Sequence, residues 1–245
     1  MKEQQELRQI CKNLRLAYVA DIVEREPIEE QDPGIYLRDV LVKEMAYRES
    51  ARIERNLKKA RFLERKELDD YQWNHAVRIP DTINKEGLEN LDFIRDHQNL
   101  VLVGAPGTGK THLAAALGRK ACEKGYEVRF FRVSHLVEEL ENAYRNNKIS
   151  AYRKKFESVD LLILDEMGYV PFSKEGAEFL FQLITDFYEQ KSLIVTSNLE
   201  FSQWNRIFSD GRLTAALVDR LIHHAHVISY VGESYRLTNA LSRVR

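Results

Sequence analysis

Hydrophobic and polar positions follow two different patterns along the chain. Up to about residue 67, apolar residues are interspersed with many charged helix formers, and runs typical of strands are almost absent. This pattern predicts helices near residues 3–24 and 36–63. Between them, residues 26–34 contain two prolines and a glycine and are expected to form a loop. Residues 1–67 are therefore predicted to form a small N-terminal helical domain.

From residue 68 onward, short apolar runs alternate with helical stretches. The runs that predict strands occupy residues 100–103, 128–133, 161–164, 193–195 and 225–229. Strands that alternate with helices are typical of a parallel sheet with helices on both faces. Residues 161–164 are apolar at every position, as expected of a strand that is buried on both sides. The sequence therefore predicts an α/β domain over residues 68–245.

Composition and charge narrow the class of protein. The chain has 245 residues, of which 44% are hydrophobic, and its formal net charge is −1, so attraction to nucleic acid must come from local patches. Cys11 and Cys122 are far apart and favour a reducing compartment over a disulfide framework. The polar start lacks the apolar core of a signal peptide, and no apolar run approaches the ~20 residues that span a bilayer. We expect a cytoplasmic protein with no membrane partner.

The strongest chemical signal follows the predicted strand at residues 100–103. Residues 104–111 read Gly-Ala-Pro-Gly-Thr-Gly-Lys-Thr, and a helical pattern comes next. This order matches the phosphate loop of nucleotide-binding proteins, in which glycines let successive backbone N–H groups point at phosphate oxygens. The helix N-terminus adds the positive end of its dipole. The residues expected to bind ATP are Gly104, Ala105, Pro106, Gly107, Thr108, Gly109, Lys110, Thr111 and His112.

Two acidic residues, Asp165 and Glu166, end the predicted strand at residues 161–164. Carboxyl ends of parallel strands share one edge of a sheet, so these side chains are expected to face the phosphate loop. Asp165 and the Thr111 hydroxyl would hold Mg²⁺, Glu166 would polarise the attacking water, and Lys110 would reach the β- and γ-phosphates. Two acidic residues that merely end a strand are the alternative. The combination predicts a Mg²⁺-dependent ATPase.

A third polar element ends the next predicted strand, where residues 194–198 read Ile-Val-Thr-Ser-Asn. Asn198 is the candidate for a hydrogen bond to the attacking water or the γ-phosphate, with Ser197 as the weaker one. An asparagine that only caps the junction between strand and loop is the alternative.

Residues 104–114, 161–168 and 194–198 together resemble the AAA+ branch of phosphate-loop ATPases. Within that branch, they are similar to the IstB/DnaC family of transposition helpers and helicase loaders. The similarity continues at residues 55–62, 219–224 and 232–237 and covers most of the chain from about residue 44 onward. It implies an AAA+ domain in which a neighbouring subunit completes each site. A truncated lid is also implied, since only residues 221–245 follow Arg220.

The resemblance also assigns two arginines to the nucleotide site. The arginine that completes the neighbour's site falls on Arg220, with Arg212 as the second candidate. Simple pairing of Arg220 with Asp219 is the alternative. Arg236 occupies the position implied for a lid arginine that contacts the nucleotide.

Basic residues are concentrated in two places. Residues 48–66 contain eight basic side chains against three acidic ones, and helical spacing puts several on one face. Such a stripe can neutralise phosphates along a duplex without reading bases. Residues 144–155 interleave basic residues with two tyrosines, which fits tracking of a nucleic-acid backbone. Ordinary solvated helix faces would explain both groups equally. The candidate DNA contacts are Arg48, Arg52, Arg55, Lys58, Lys59, Arg61, Arg145, Lys148, Arg153, Lys154 and Lys155.

Three histidines, His223, His224 and His226, lie close together in the sequence. Metal binding is the first alternative for such a group, but no acidic or cysteine ligand lies at a supporting spacing. Positions in or beside the predicted strand at residues 225–229 are therefore favoured.

These features predict an ATP-dependent regulator of transposition. As the resemblance implies, it would form a homo-oligomeric ring or helical assembly on duplex DNA and assist the transposase of its element. A loader that delivers a replicative helicase onto single-stranded DNA would share the same ATPase core. The N-terminal module should separate the two, and residues 44–62 favour the transposition helper. A nucleotide-binding protein without turnover is a third alternative, against which Glu166 argues.

Overall fold

The computed structural model describes residues 2–28, 32–169, 171–208, 210–232 and 234–235. Contacts within the chain divide it into two compact units, Met1–Arg55 and Asn56–Arg245. The domain boundary placed at residue 67 from the sequence stays a prediction. No helix in the described ranges has the length and apolar character needed to cross a membrane.

The first unit contains helices α1 (Lys2–Asn13) and α2 (Val19–Arg25) and most of α3 (Pro33–Ala60). The single helix expected over residues 3–24 is therefore wrong, because the chain turns between α1 and α2. The Glu44 carboxylate accepts hydrogen bonds from the backbone N–H groups of Ala17 (2.8 Å) and Tyr18 (2.6 Å) at this turn. A partner from another helix satisfies these amides, which local periodicity cannot reveal.

The predicted loop at residues 26–34 ends earlier than expected, because Pro33 is the first residue of α3. The Asp32 carboxylate accepts hydrogen bonds from the backbone N–H groups of Gly34 (2.8 Å) and Ile35 (3.1 Å) and so caps the helix. Proline suits the first helical position because its missing N–H would have no helical partner there.

The second unit contains a six-stranded sheet, the end of α3 and eight further helices in the described ranges. The strands are β1 (Val77–Arg78), β2 (Asn99–Gly104), β3 (Val128–Arg132), β4 (Leu161–Met167), β5 (Ser192–Ser197) and β6 (Ala225–Tyr230). The helices are α4 (Lys85–Asn90), α5 (Asp92–Arg95), α6 (Lys110–Glu123), α7 (Val133–Arg145), α8 (Ile149–Arg153), α9 (Lys174–Phe187), α10 (Asn205–Phe208) and α11 (Gly211–Ile222).

The strand order across the sheet is β1-β6-β2-β5-β4-β3, and all pairs are parallel except β1 with β6. Every strand predicted from the sequence is present, and the predicted parallel sheet is confirmed. The antiparallel strand β1 was missed because a two-residue strand carries no periodicity of its own.

Apolar clusters cover both faces of the sheet. Along β4, Leu162 and Leu164 belong to the cluster that also contains residues of α7, α9 and α11. Leu161 and Ile163 belong to the cluster on the other face, which contains residues of α6. All four side chains are completely buried. Alternate residues of one strand thus enter opposite layers, which explains why the run is apolar at every position.

The carboxyl ends of β2, β4 and β5 meet at one edge of the sheet. Their register aligns Val103 of β2 with Ser197 of β5, and Leu164 of β4 with Val195 of β5. The chain leaves β2 at Gly104, whose φ is +151° and where a Cβ would lie 2.4 Å from the carbonyl oxygen of Tyr230. Only glycine fits this close approach of two backbones, from which the phosphate loop begins.

Candidate nucleotide-binding site

The loop between β2 and α6 turns back on itself before the helix begins at Lys110. Its sharp turn depends on left-handed backbone at Gly107 (φ +77°) and Gly109 (φ +101°), which favours glycine. The first backbone N–H groups of α6 have no helical acceptor and carry the positive end of the helix dipole. The loop and this helix end can therefore receive phosphate oxygens, as the sequence predicted.

The Lys110 side chain folds over the loop. Its ammonium group donates to the carbonyl oxygens of Gly104 (2.6 Å) and Ala105 (2.7 Å). Burial lowers the pKa of Lys110 to about 8, and the nearby Asp165 carboxylate opposes this shift. A cation in this position can exchange its carbonyl partners for phosphate oxygens.

The lowered pKa of Lys110 predicts how nucleotide affinity depends on pH. Below pH 8 the amine is already protonated and the affinity should be flat. Phosphate oxygens favour the charged amine, so above pH 8 binding must take up a proton. Affinity should then fall by up to about tenfold per pH unit. Isothermal titration with ADP between pH 7 and 10 would measure this slope. A flat profile over that range would contradict the prediction, and Lys110→Arg, which stays charged, should abolish the slope.

Asp165 lies at the centre of the polar groups at this edge. One oxygen of its carboxylate accepts hydrogen bonds from the hydroxyls of Thr111 (2.9 Å) and Thr196 (2.6 Å), and Asp165 is 1% exposed. Thr111 and Asp165 are thus in contact, and a hydroxyl and a carboxylate are oxygen ligands that suit Mg²⁺. These two residues fit a magnesium ion.

Thr196 also belongs to this group of polar side chains, although it was not among the site residues predicted from the sequence. Its hydroxyl donates to Asp165 and also accepts from the backbone N–H of Glu166 at 3.0 Å, so it holds both acidic residues. The only sequence signal was a threonine directly after the apolar run at residues 193–195, two residues before Asn198. Because β5 lies beside β4, this threonine reaches the Asp165 carboxylate and the backbone of Glu166 from inside the sheet.

Glu166 has a left-handed backbone conformation, which is uncommon for residues other than glycine. Its φ is +61°, and the pairing of β4 with β5 is irregular between Leu164 and Met167. This turn points the Glu166 side chain outward while Asp165 stays buried. One Glu166 carboxylate oxygen lies 3.4 Å from Nε of Arg132, the last residue of β3. Positive φ at a non-glycine residue is a strained conformation that is typical of functional sites.

The two candidates at the end of β5 have different surroundings. Ser197 is buried, its hydroxyl oxygen lies 2.9 Å from the carbonyl oxygens of Met167 and Leu199, and it accepts from the backbone N–H of Leu199. It therefore shapes the turn after the strand. Asn198 is half-buried, and its side chain makes no hydrogen bond to any residue in the described ranges. Its contact with water or phosphate stays a prediction.

Other predicted contacts frame the loop. Thr108 donates to the carbonyl oxygen of Ala105 at 2.8 Å, which stabilises the loop itself. The His112 ring lies against Tyr71, with ring centres 5.4 Å apart, and its Nε2 is 3.2 Å from the carbonyl oxygen of Glu67. The backbone N–H of Tyr235 donates to the carbonyl oxygen of Gly107 at 3.0 Å. The predicted lid residue, Arg236, is next in the chain and lies outside the described residues.

Arg220 lies at the edge of the sheet opposite its own phosphate loop. It is near the end of α11, and the next residue, Leu221, accepts a hydrogen bond from the side chain of Asn99, the first residue of β2 (3.1 Å). The phosphate loop follows the last residue of β2. The guanidinium group lies 4.7 Å from the ring centre of Phe181 and donates to the carbonyl oxygen of Ala216. These contacts differ from the expected alternative, pairing with Asp219.

Arg212, the second candidate, is exposed at the start of α11 and thus at the other end of that helix. Its backbone N–H donates to the Asp210 carboxylate, which caps the helix. The side chain is free to extend into solvent from the edge that carries the chain's own phosphate loop.

The basic residues of α3 are only partly neutralised. Ion pairs join Arg48 to Glu44 (2.6 Å), Arg52 to Glu49 (2.6 Å), Lys59 to Glu127 (3.5 Å) and, just beyond the helix, Arg61 to Glu139 (3.9 Å). Arg55 and Lys58 are exposed and form no ion pair with the residues that the structure describes. Arg55 and Lys58 are therefore the residues of α3 whose positive charge is not offset by an ion pair among the described residues.

The second basic group surrounds a shallow depression of about 500 Å³, whose lining includes Asn142, Asn146, Lys148, Tyr152 and Lys155. Its two arginines are neutralised, Arg153 by Asp186 (2.6 Å) and Arg145 by Glu141 (3.8 Å). Lys148, Lys154 and Lys155 are exposed, and the ammonium of Lys155 lies 4.6 Å from the ring centre of Tyr152. Amide and ammonium donors around a depression suit phosphate oxygens.

The phosphate loop after the inner strand β2, the acidic residues on β4 and the sheet order define an AAA+ nucleotide-binding domain. Solved structures with this fold include the DnaC helicase loader, with a TM-score of 0.52 and 25% identity over 67% of this chain and 96% of that one. They also include DnaI (TM-score 0.55, 20% identity, 69% and 90% coverage). AMPPCP-bound DnaA from Aquifex aeolicus has a TM-score of 0.57 at 22% identity, with 75% and 56% coverage.

Within this class, the chain belongs to the family of IstB-like ATP binding proteins, whose sequence pattern matches residues 12–242. An insertion sequence IS21 protein of Pseudomonas aeruginosa, described as ATP-binding, is 36% identical over 220 residues, covering 90% of this chain and 83% of its own. The corresponding IS5376 protein of Geobacillus stearothermophilus is 32% identical over 241 residues, with 97% and 95% coverage. The family membership predicted from the motifs is confirmed.

Proposed function

We propose that this protein is an ATPase that assembles on duplex DNA and assists the transposase of an insertion sequence. The observation that carries the proposal is the position of Arg220. Its own phosphate loop lies at the opposite edge of the sheet, so any nucleotide that Arg220 contacts must be bound to another subunit. A site divided in this way makes ATP a link between subunits.

Hydrolysis is supported by the groups around Asp165. Glu166 is exposed beside the buried Asp165 and can accept a proton from an attacking water. Lys110 and the first amides of α6 would stabilise charge on the phosphates. Asp165 and Thr111 would hold Mg²⁺, which when bound neutralises negative charge on the phosphate oxygens. Together with an arginine from a neighbouring subunit, these groups would supply what phosphoryl transfer to water requires.

Assembly follows from the shared site. A subunit that carries ATP on its loop offers the γ-phosphate to the arginine of its neighbour, so the nucleotide stabilises the contact between them. Hydrolysis removes the γ-phosphate and with it part of that contact. ATP binding would thus favour a homo-oligomeric ring or helical assembly, and hydrolysis would favour its release.

DNA binding is supported by two basic surfaces whose groups suit the phosphate backbone. The α3 stripe exposes Arg55 and Lys58, the depression beside α7 and α8 exposes Lys148 and Lys155, and Lys154 is exposed next to Lys155 in the chain. Contacts to the phosphate backbone carry no sequence information, so little sequence preference is expected. Repeated along an assembly, such weak contacts would add up.

The transposase as partner is supported by the family. Relatives that cover most of this chain belong to insertion sequences in several bacteria. The N-terminal residues 1–67, which include the α3 stripe, are the proposed module for DNA and partner binding. A helicase loader acting on single-stranded DNA is the second candidate, favoured by the similarity of the core to the DnaC structure.

Assembly on two forms of DNA separates these functions. The protein should form large complexes on duplex DNA with ATP and Mg²⁺, and much less with ADP or on single strands of equal length. Size-exclusion chromatography with light scattering and negative-stain electron microscopy would measure this. Assembly on single strands with none on duplex would contradict the transposition proposal and favour the helicase loader.

The α3 stripe predicts a change in the salt dependence of DNA binding. Replacing Arg52, Arg55 and Lys59 by alanine should weaken duplex binding. The slope of log affinity against log salt should fall by roughly 0.9 for each phosphate that the variant no longer neutralises. Arg55 should have the largest single effect, because Glu49 and Glu127 already neutralise the other two.

The matched control for this prediction removes the same charge elsewhere. Replacing Lys85, Arg95 and Lys124, which are exposed outside both basic surfaces and outside residues 1–67, should leave the salt slope unchanged. Fluorescence anisotropy on a labelled duplex at several salt concentrations would measure both sets. Equal slopes for the stripe variant and the native protein would remove α3 from the DNA contact.

A further inference from the structure

Two histidines and a glutamate meet at the edge of the sheet opposite the phosphate loop. His223 and His224 follow α11 and lead into β6, while Glu189 lies in the turn between α9 and β5. Along the sequence, no acidic residue lies at a spacing from these histidines that supports metal binding. The fold supplies one from far along the chain, because the turns before β5 and β6 lie at the same edge of the parallel sheet.

The geometry of this cluster suits a metal ion. One ligand atom from each of Glu189, His223 and His224 lies within 4.8 Å of the other two. Nε2 of His224 is 3.3 Å and Nδ1 of His223 is 4.0 Å from the same Glu189 oxygen. Ligands bound to Zn²⁺ at about 2.0–2.2 Å in a tetrahedral site lie roughly 3.3–3.5 Å apart. Small rotations of these exposed side chains would therefore complete the site.

The surrounding residues hold the cluster in place. Tyr188 precedes Glu189 in the same turn, and its hydroxyl lies 2.8 Å from Nδ1 of His223, the nitrogen that also faces Glu189, so an ion bound there would replace this hydrogen bond. The carbonyl oxygen of His224 accepts a hydrogen bond from the backbone N–H of Asn99 at 2.8 Å, which fixes the start of β6. The two imidazole rings are 4.1 Å apart between centres.

The third histidine has a different role. His226 is buried, and its two ring nitrogens lie 2.8 Å from the Thr82 hydroxyl and 2.7 Å from the side-chain oxygen of Gln98. Both nitrogens are thus occupied within the core, and burial lowers the pKa of this imidazole. It supports the sheet and does not belong to the cluster.

We propose that Glu189, His223 and His224 bind a divalent transition-metal ion of the Zn²⁺ class. A set of two imidazole nitrogens and one carboxylate oxygen favours such ions over Mg²⁺ or Ca²⁺, which prefer oxygen ligands alone. Three protein ligands leave a coordination position open to water. The ion would join the turn after α9 to the turn after α11, next to the end of the helix that carries Arg220. Nothing in the nucleotide site is required for it.

Zinc titration of the intact, nucleotide-free protein tests the proposal. In excess Mg²⁺, which occupies the nucleotide edge, the native protein should bind about one equivalent of Zn²⁺. His224→Gln and Glu189→Gln should each weaken that binding at least about tenfold. His135→Gln, which changes an exposed histidine on α7, should leave it unchanged. Competition with a chromophoric chelator would measure the affinities, and circular dichroism would show that each variant folds.

Two further measurements do not depend on the nucleotide site. Zn²⁺ should raise the Tm of the native protein and not that of His224→Gln, because the ion joins two turns only when its ligands are present. Co²⁺ should selectively broaden the imidazole NMR signals of His223 and His224 in the native protein. Equal zinc affinity in all variants, or Co²⁺ effects on other histidines only, would overturn the proposal and leave a simple histidine–glutamate ion pair.

Discussion

Replacing Arg220 by alanine is expected to lower ATP turnover of the DNA-bound assembly by roughly 10³-fold or more. The affinity of an isolated subunit for ATP should stay nearly unchanged, because Arg220 lies at the opposite edge from that subunit's phosphate loop. Arg220→Lys should lose nearly as much turnover, since an ammonium group cannot reproduce the planar, bidentate contact of a guanidinium. Steady-state phosphate release on duplex DNA, together with ATP binding by isothermal titration, would measure both effects.

A mixing experiment tests whether Arg220 acts between subunits. Lys110→Ala removes the phosphate contact of one subunit, while Arg220→Ala leaves the loop intact. In a mixture, an Arg220→Ala subunit can receive the arginine of a Lys110→Ala neighbour, so turnover should exceed that of either variant alone. No recovery in mixtures that form assemblies of normal size would contradict a shared site.

Arg212→Ala is the matched control for Arg220. Arg212 lies at the other end of α11 and is the second candidate for the same role. Full activity of Arg212→Ala beside inactive Arg220→Ala would assign the role to Arg220. The reverse result would transfer the role to Arg212 and would reduce Arg220 to its contacts with Phe181 and Ala216.

Replacing Glu166 by glutamine is expected to lower turnover by roughly 10²- to 10⁴-fold, because an amide cannot accept the proton of the attacking water. ATP binding and ATP-dependent assembly on DNA should remain, and the assemblies should last longer. Glutamine preserves the size of the side chain, and the backbone hydrogen bond from residue 166 to Thr196 does not involve the carboxylate. Single-turnover hydrolysis and the lifetime of the complexes on DNA would measure the two effects.

Glu175→Gln is the control for Glu166. Glu175 is exposed in the first turn of α9, so its loss should leave turnover unchanged. Undiminished turnover of Glu166→Gln would remove this residue from the mechanism. It would also separate the strained backbone at residue 166 from catalysis, since that backbone would then serve only to keep Asp165 buried.

The parallel sheet and the phosphate loop could be predicted because their signals are local. A run such as residues 161–164 needs burial on both faces whatever lies next to it. The loop from Gly104 to Thr111 carries its own glycines, lysine and threonine in the order that the chemistry uses. The helix expected over residues 3–24 failed because Glu44, from another helix, satisfies the amides of the turn that breaks it.

The contacts that the sequence missed join positions far apart in the chain. Thr196 reaches Asp165, and Arg132 reaches Glu166, only because β5 and β3 lie on either side of β4. Glu189 and His224 also lie far apart in the chain and come into contact at the opposite edge of the sheet. Spacing along the chain carries no information about such pairs, since strand order is decided by crossover connections.

By itself, the sequence determined that this protein carries a phosphate loop after β2, two carboxylates on β4 and basic stripes on α3 and around α8. Each of these depends on neighbours in the chain, through backbone conformation, strand direction or helical spacing. Only the tertiary structure decided that Thr196 binds the Asp165 carboxylate and the backbone N–H of Glu166, that salt bridges neutralise much of each stripe, and that Arg220 lies away from its own loop. Those facts depend on which elements pack side by side, because charge and hydrogen bonding act through space and not along the chain.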